Sequence, residues 1–82
     1  MTEQQLIKLG FNKEPLESYN KEDYYYFYPL VGDLGLISCA LSDVTDSKWF
    51  VDVFDSYPTI RYYEYKDALD LIAIFKKGQI IK

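Results

Sequence analysis

The most informative absence in this sequence is histidine, of which the chain has none. Histidine is the commonest general base and metal ligand in proteins, so its absence removes most hydrolytic constellations and most zinc sites. The single cysteine, Cys39, excludes an internal disulfide and a cysteine cluster for zinc. It indicates a reducing compartment, and we expect a cytoplasmic protein.

Targeting and membrane signals are also lacking. The N-terminal stretch "MTEQQLIKLGF" has neither a basic region nor an apolar core, so it does not predict a signal peptide. No apolar run approaches the roughly 20 residues that a membrane-spanning helix needs. We therefore expect a soluble protein without a membrane partner.

What the chain does contain is apolar surface and negative charge. Its 82 residues predict a single domain over 1–82, and the 49% hydrophobic and 18% aromatic composition suits a dense small core. The net charge of −4 resides in residues 33–55, which hold five aspartates and one lysine; the remainder has eight acids and eight bases. With one arginine in the whole chain, direct nucleic-acid binding is disfavoured, and a protein partner with a basic surface is favoured.

The periodicity predicts an α+β domain with a helix at each end. Thr2 and Gln5 form a capping box for a short helix that Gly10 ends, and a longer helix is predicted from about Tyr65 to Lys77. Both helices should pack on one face of a sheet. The four or five strands of this antiparallel meander are predicted at Leu16–Tyr19, Tyr24–Val31, Leu34–Leu41, Trp49–Asp55 and Thr59–Tyr63.

The turn at Gly32 and Asp33 decides which side chains face the helices. Its composition favours a two-residue type II′ hairpin, and a regular ladder from that turn places Phe27 opposite Ser38. The helix-facing core is then predicted to hold Tyr25, Phe27, Val31, Leu34, Leu36, Trp49, Val51, Val53 and Ile60. The outer face is predicted to hold Tyr24, Tyr26, Tyr28, Ile37, Phe50, Asp52 and Phe54, beside Arg61 and Tyr63. A slip of one residue would exchange the two sets.

Two features are candidate partner-binding sites. The first is the outer aromatic face, because exposed tyrosine and phenylalanine usually mark an interface. The alternative is that the N-terminal helix or residues 12–23 cover it. The second is the pair Asp43 and Asp46 in "SDVTDSK", which would present negative charge to a basic groove. The alternative there is a solvated loop, and the spacing does not match a calcium site.

Catalytic and cofactor chemistry has little support in the sequence. An enzyme would have to use Asp52 with Asp55, or Ser38 with Lys48, and neither pair has an evident shared cleft. Cys39 lies within a predicted strand, where a packing role is favoured over a nucleophilic one. We therefore predict a non-enzymatic protein with no catalytic residue, no metal and no cofactor.

Five segments carry a resemblance to known proteins. In chain order they are "LGF", "YYYFYPLVGDLGLIS", "WFVDVFD", "IRYYEY" and "LDLIAIFKKG". Together they resemble the small proteins encoded by phages and mobile elements of Bacteroidota. The resemblance covers most of the chain, and its motifs are structural, so it transfers no functional residue. It implies a context, since such proteins often bind and block a host protein, including CRISPR and other defence nucleases.

The residues predict a protein-binding module, and the resemblance implies a phage-type accessory protein that acts against a host protein such as a defence nuclease. The alternative is a homodimeric structural component of a virion or complex, in which two aromatic sheet faces pair with each other.

Overall fold

The computed structural model describes the backbone of residues 1–18, 21–54 and 56–78, and the side chains of these residues except 17, 18 and 21. The elements are α1 (Glu3–Leu9), β1 (Asn12–Ser18), β2 (Lys21–Val31), β3 (Leu34–Ser38), a short 3-10 helix (Leu41–Asp43), β4 (Val51–Val53), β5 (Arg61–Tyr62) and α2 (Tyr65–Lys77). The strands form one antiparallel sheet in the order β1-β2-β3-β4-β5. The predicted α+β meander between two helices is confirmed.

Helix α1 begins and ends as its sequence predicts. The Thr2 hydroxyl accepts a hydrogen bond from the Gln5 backbone N–H at 3.2 Å, and the Gln5 side chain accepts one from the Thr2 N–H at 2.9 Å. Gly10 ends the helix in a left-handed conformation with φ of 101°. A helix of seven residues is not stable alone, and α1 persists because Leu6 is fully buried in the core.

Strand β1 is longer than its sequence suggests. It begins at Asn12 and not at Leu16, and it pairs with β2 as far as Ser18. Pro15 lies in the middle of the strand, which an edge strand tolerates because one side of its backbone has no neighbour. Tyr19, the predicted end of this strand, lies outside the described residues.

Strand β3 is shorter than predicted and ends at Ser38. The Ser38 hydroxyl accepts a hydrogen bond from the Tyr26 backbone N–H at 2.8 Å and donates one to the Cys39 carbonyl at 2.8 Å. A side chain thus satisfies the N–H that the next rung of the ladder would use. The chain then leaves the sheet and enters the 3-10 helix.

A β-bulge in the β2–β3 hairpin changes the predicted register. Gly32 has the positive φ of 56° that a type II′ turn requires, and Val31 pairs with Leu34 as predicted. The register then shifts, so that Pro29 pairs with Gly35 and Leu30 is an extra residue on β2. Proline cannot donate to a ladder and is found within sheets at edges or bulges, which accounts for the position of the irregularity.

The core lies between one face of the sheet and both helices. Its buried members come from α1, β2, β3, β4, α2 and the intervening segments: Leu6, Phe11, Tyr26, Leu36, Cys39, Trp49, Val51, Ala68 and Ile72. The two helices therefore pack on the same face, as predicted. Ile60, predicted to belong to this core, is 46% exposed instead. No helix among residues 1–18, 21–54 and 56–78 has the length and apolar character to cross a membrane.

Candidate protein interface on the open sheet face

The three tyrosines that the sequence placed on the outer face lie on the core side of the sheet, where α1 and Phe11 pack against them. The Tyr24 and Tyr26 hydroxyls both donate to Oε2 of Glu3, each at 2.7 Å. Tyr26 is only 3% exposed, and Tyr28 packs against the ring of Phe11 at a centroid distance of 5.4 Å. The predicted outer position of these tyrosines is wrong, because the bulge at Leu30 turns the N-terminal part of β2 by one residue.

The bonds to Glu3 require both phenols to remain protonated. Burial, with the Glu3 carboxylate beside it, raises the pKa of Tyr26 far above its usual range. The hydrogen bond to Glu3 also raises the pKa of Tyr24. Both hydroxyls are therefore donors at neutral pH, and the carboxylate joins α1 to the sheet.

The other face of the sheet has a row of side chains that crosses all five strands. Successive cross-strand partners in this row are Asn12, Phe27, Ile37, Asp52 and Arg61. Residues two positions away along each strand share this face. We call the resulting surface the open face and define it as Asn12, Glu14, Tyr25, Phe27, Gly35, Ile37, Phe50, Asp52, Phe54 and Arg61.

No helix of the described chain covers the open face, since both helices lie against its reverse. Ile37, Phe50, Asp52 and Phe54 occupy the open face, as the sequence predicts for the outer face. Tyr25 was predicted to be core and lies here instead.

Phe27 was also predicted to be core, and its ring forms the aromatic end of the open face with Phe54. The two rings meet edge to face at a centroid distance of 6.0 Å, and Phe54 is 43% exposed. The Phe27 ring lies directly over Gly35, where an added Cβ would be 2.6 Å from the ring. A glycine within a strand is a known sign of such close approach, so Gly35 was the sequence signal for this packing.

The charged end of the open face is an ion pair on an aromatic ring. Arg61 donates from Nε to Oδ1 of Asp52 at 2.7 Å and from Nη2 to Oδ2 at 3.2 Å. Its guanidinium carbon also lies 4.0 Å from the centroid of the Phe50 ring. This two-bond geometry gives Arg61 a fixed orientation at an exposed position.

The predicted acidic pair is exposed, and neither aspartate lies in an extended loop. Asp43 belongs to the 3-10 helix, and Asp46 has a φ of 54° in a tight turn closed by a bridge between Thr45 and Lys48. Within the described ranges neither aspartate makes an ion pair, and no three acidic or cysteine side chains are grouped as metal ligands would be. Their partner-binding role stays a prediction.

The remaining candidate groups are engaged in the fold. The Ser38 hydroxyl makes the backbone bonds described above, and burial raises the pKa of the Cys39 thiol, as expected for a packing residue. Asp52 is paired with Arg61, and Asp55 lies outside the described residues. Ser38 is buried, whereas Lys48 is exposed.

One buried carboxylate was missed by the sequence reasoning. Asp23 is 9% exposed and accepts hydrogen bonds from the Ser42 hydroxyl at 2.7 Å, the Ser42 N–H at 3.1 Å and the Tyr24 N–H at 2.9 Å. The Ser42 hydroxyl is the main reason that the pKa of Asp23 is lowered. The carboxylate holds the 3-10 helix against β2. An open cavity of about 610 Å³ adjoins it, between the β1–β2 edge and Leu41.

Comparisons of the chain with protein-family models, with curated proteins and with solved structures found no significant match. Its function must therefore be inferred from its own geometry.

Proposed function

We propose that this protein is a non-enzymatic binding module that uses the open face to bind a protein partner. The observation that supports the proposal is an aromatic sheet face with both described helices on its reverse. Antiparallel sheets can have one wet face, but that face is ordinarily polar. Contiguous exposed aromatic surface is typical of interaction sites.

The proposed contact residues differ in part from those that the sequence alone indicated. Ile37, Phe50, Asp52 and Phe54 are retained, and Tyr25 and Phe27 replace the covered tyrosines; the proposed set is Tyr25, Phe27, Ile37, Phe50, Asp52 and Phe54. Half-buried aromatic side chains held by their neighbours lose little rotamer entropy on binding and make effective anchors. Phe54 is exposed, whereas the other members of this set are half-buried, so it is the first residue to test.

The acidic balance of the chain favours a basic partner. Residues 33–55 include β4 and the Asp43 and Asp46 segment, and they hold the whole net charge of −4. Opposite charge on a partner accelerates encounter, whereas the like charge of a second copy discourages self-association. The resemblance to phage and mobile-element proteins directs the first choice of partner to host defence nucleases, whose nucleic-acid grooves are basic.

The test replaces two exposed apolar residues by serine, one on the open face and one on α2. Phe54→Ser removes a side chain of the open face that is 43% exposed, and Ile74→Ser removes one on α2 that is 64% exposed. Proteins captured by the tagged wild type from a host extract are purified, and their affinities for the three forms are measured by calorimetry.

We expect Phe54→Ser to weaken binding about tenfold or more, as for an interface anchor, with unchanged circular dichroism. Ile74→Ser should bind as the wild type does. Equal affinities for all three forms would refute the proposal. Sedimentation equilibrium at micromolar concentration tests the homodimer: a dimer that Phe54→Ser dissociates would assign the open face to a second copy of this chain.

A further inference from the structure

Tyr25 differs from the other four aromatic residues of β2. Each of those four has an aromatic or cationic partner: Tyr24 has Trp49 and Lys13, Tyr26 has Trp49, Phe27 has Phe54, and Tyr28 has Phe11. Among the described residues Tyr25 has no such partner. It is half-buried on the open face, and its direct cross-strand neighbour on β1 is Glu14.

The protein's own arginine shows what such a position can bind. The Arg61 guanidinium lies 4.0 Å above Phe50 and makes two hydrogen bonds to Asp52, which projects from the same face of the same strand segment. One ring and one neighbouring carboxylate thus hold a guanidinium in a fixed orientation. This combination suits arginine, whose planar cation is weakly hydrated and stacks on aromatic rings.

Glu14 and Tyr25 repeat this pairing of carboxylate and ring in a second place on the open face. Directly opposed residues in an antiparallel pair have Cβ atoms about 5 Å apart, which brings the two side chains to one cation. Within the described side chains Glu14 makes no ion pair. We propose that an arginine of the protein partner stacks on Tyr25 and forms an ion pair with Glu14. This inference rests on the proposed function, since it concerns the same face.

The arginine content and the net charge of the chain both argue against a second copy as the source of that arginine. Arg61 is the sole arginine in the sequence, and it is already bound to Asp52. A second copy would also bring a net charge of −4 against the same acidic region. A basic protein segment supplies the guanidinium, whereas a nucleic acid would place phosphate against Glu14.

A peptide titration tests the arginine site without the natural partner. The probe is the capped peptide Gly-Arg-Gly-Gly-Arg-Gly, titrated into the ¹⁵N-labelled protein, with the lysine version as its match. We expect amide shifts to concentrate at Glu14, Tyr25 and their strand neighbours, with weaker binding of the lysine peptide. Glu14→Gln and Tyr25→Leu should each raise the dissociation constant about two- to fivefold, as expected for the loss of an exposed ion pair and of a cation–π contact, respectively.

The matched control is Asp70→Asn, which removes one exposed carboxylate on α2 and should leave the affinity unchanged. Equal weakening by Glu14→Gln and Asp70→Asn, equal affinity of the two peptides, or shifts confined to residues 43–46 would each overturn the arginine site. Glu14→Gln preserves side-chain size, so its result does not depend on how well Tyr25→Leu folds.

The purified partner separates this inference from the proposed function. If Phe54→Ser weakens binding of the partner and Glu14→Gln does not, the open face is the interface and the arginine site is wrong. If Phe54→Ser has no effect, the proposed function itself fails. Weakening by both variants, with Ile74→Ser unaffected, supports both.

Discussion

Replacement of Glu3 by alanine should be among the most destabilising single changes at the surface of this protein. The Glu3 carboxylate accepts both phenol hydrogen bonds that attach α1 to β2, and α1 has only seven residues. A helix this short is stable only when it is docked, so the loss of the two hydrogen bonds also weakens the docking of α1.

The expected cost follows from the burial of the two phenols. Tyr24 is half-buried, so its hydroxyl can bond to water in the variant and contributes little. Tyr26 is 3% exposed, and its unpaired hydroxyl costs about 1–3 kcal/mol in addition to the lost charged bond. Glu3→Ala should therefore lower the free energy of unfolding by about 2–4 kcal/mol, out of about 4–12 kcal/mol for a domain of this size. Glu3→Gln retains an acceptor oxygen and should cost about 1 kcal/mol.

Urea unfolding measures these values, with Trp49 fluorescence as the probe because its ring lies 5.6 Å from the Tyr26 ring. Glu64→Ala is the matched control: this exposed glutamate is the N-cap residue of α2 but makes no side-chain capping bond, so a change within about 0.5 kcal/mol is expected. In the double variant Glu3→Ala with Tyr26→Phe, the two effects should not add. Additive effects, or a loss below about 0.5 kcal/mol for Glu3→Ala, would refute the role of this carboxylate.

Two further predictions concern the open face and the 3-10 helix. Gly35→Ala should destabilise the protein by about 1–3 kcal/mol in urea unfolding. The added Cβ would lie 2.6 Å from the Phe27 ring and 2.9 Å from the Tyr28 carbonyl oxygen. Unchanged stability would show that the ring moves aside freely. The bonds to Ser42 lower the pKa of Asp23 in the folded state below its value of 3.8 in the unfolded chain. The contribution of Asp23 to stability is therefore present above pH 3.8 and is lost as the pH falls through the lower folded-state pKa. Asp23→Asn should therefore flatten the pH dependence of unfolding below about pH 4, and an unchanged acid limb would contradict the assignment.

Local interactions account for the parts of the fold that the sequence predicts correctly. The capping box at Thr2 and the left-handed Gly10 act within a few residues of each other, so helix α1 could be placed from the sequence. The alternation in β4 likewise placed Val51 in the core and Asp52 on the opposite face. Strand β1 was placed too late, because its polar residues form a strand only through pairing with β2.

The candidate site was predicted in part, and the errors share one cause. On β3 and β4 the expected open-face residues Ile37 and Asp52 are on that face, as is Phe50, which directly precedes β4 and lies under Arg61. On β2 the two faces were exchanged, because the ladder was continued without a bulge. Pro29 was the available signal, since a proline inside a central strand indicates an irregularity.

The sequence by itself determined the order of elements, the ends of α1 and the location of the negative charge. The tertiary structure decided which face of β2 is covered, and hence which aromatic residues remain for a partner. Both faces of that strand are aromatic, so hydrophobic pattern alone does not penalise either register. One extra residue at Leu30 turns Tyr26 toward Glu3 and leaves Tyr25 beside Glu14. The choice of which face of β2 is covered depends on the packing of the whole domain, because only the docked helices α1 and α2 distinguish the two faces.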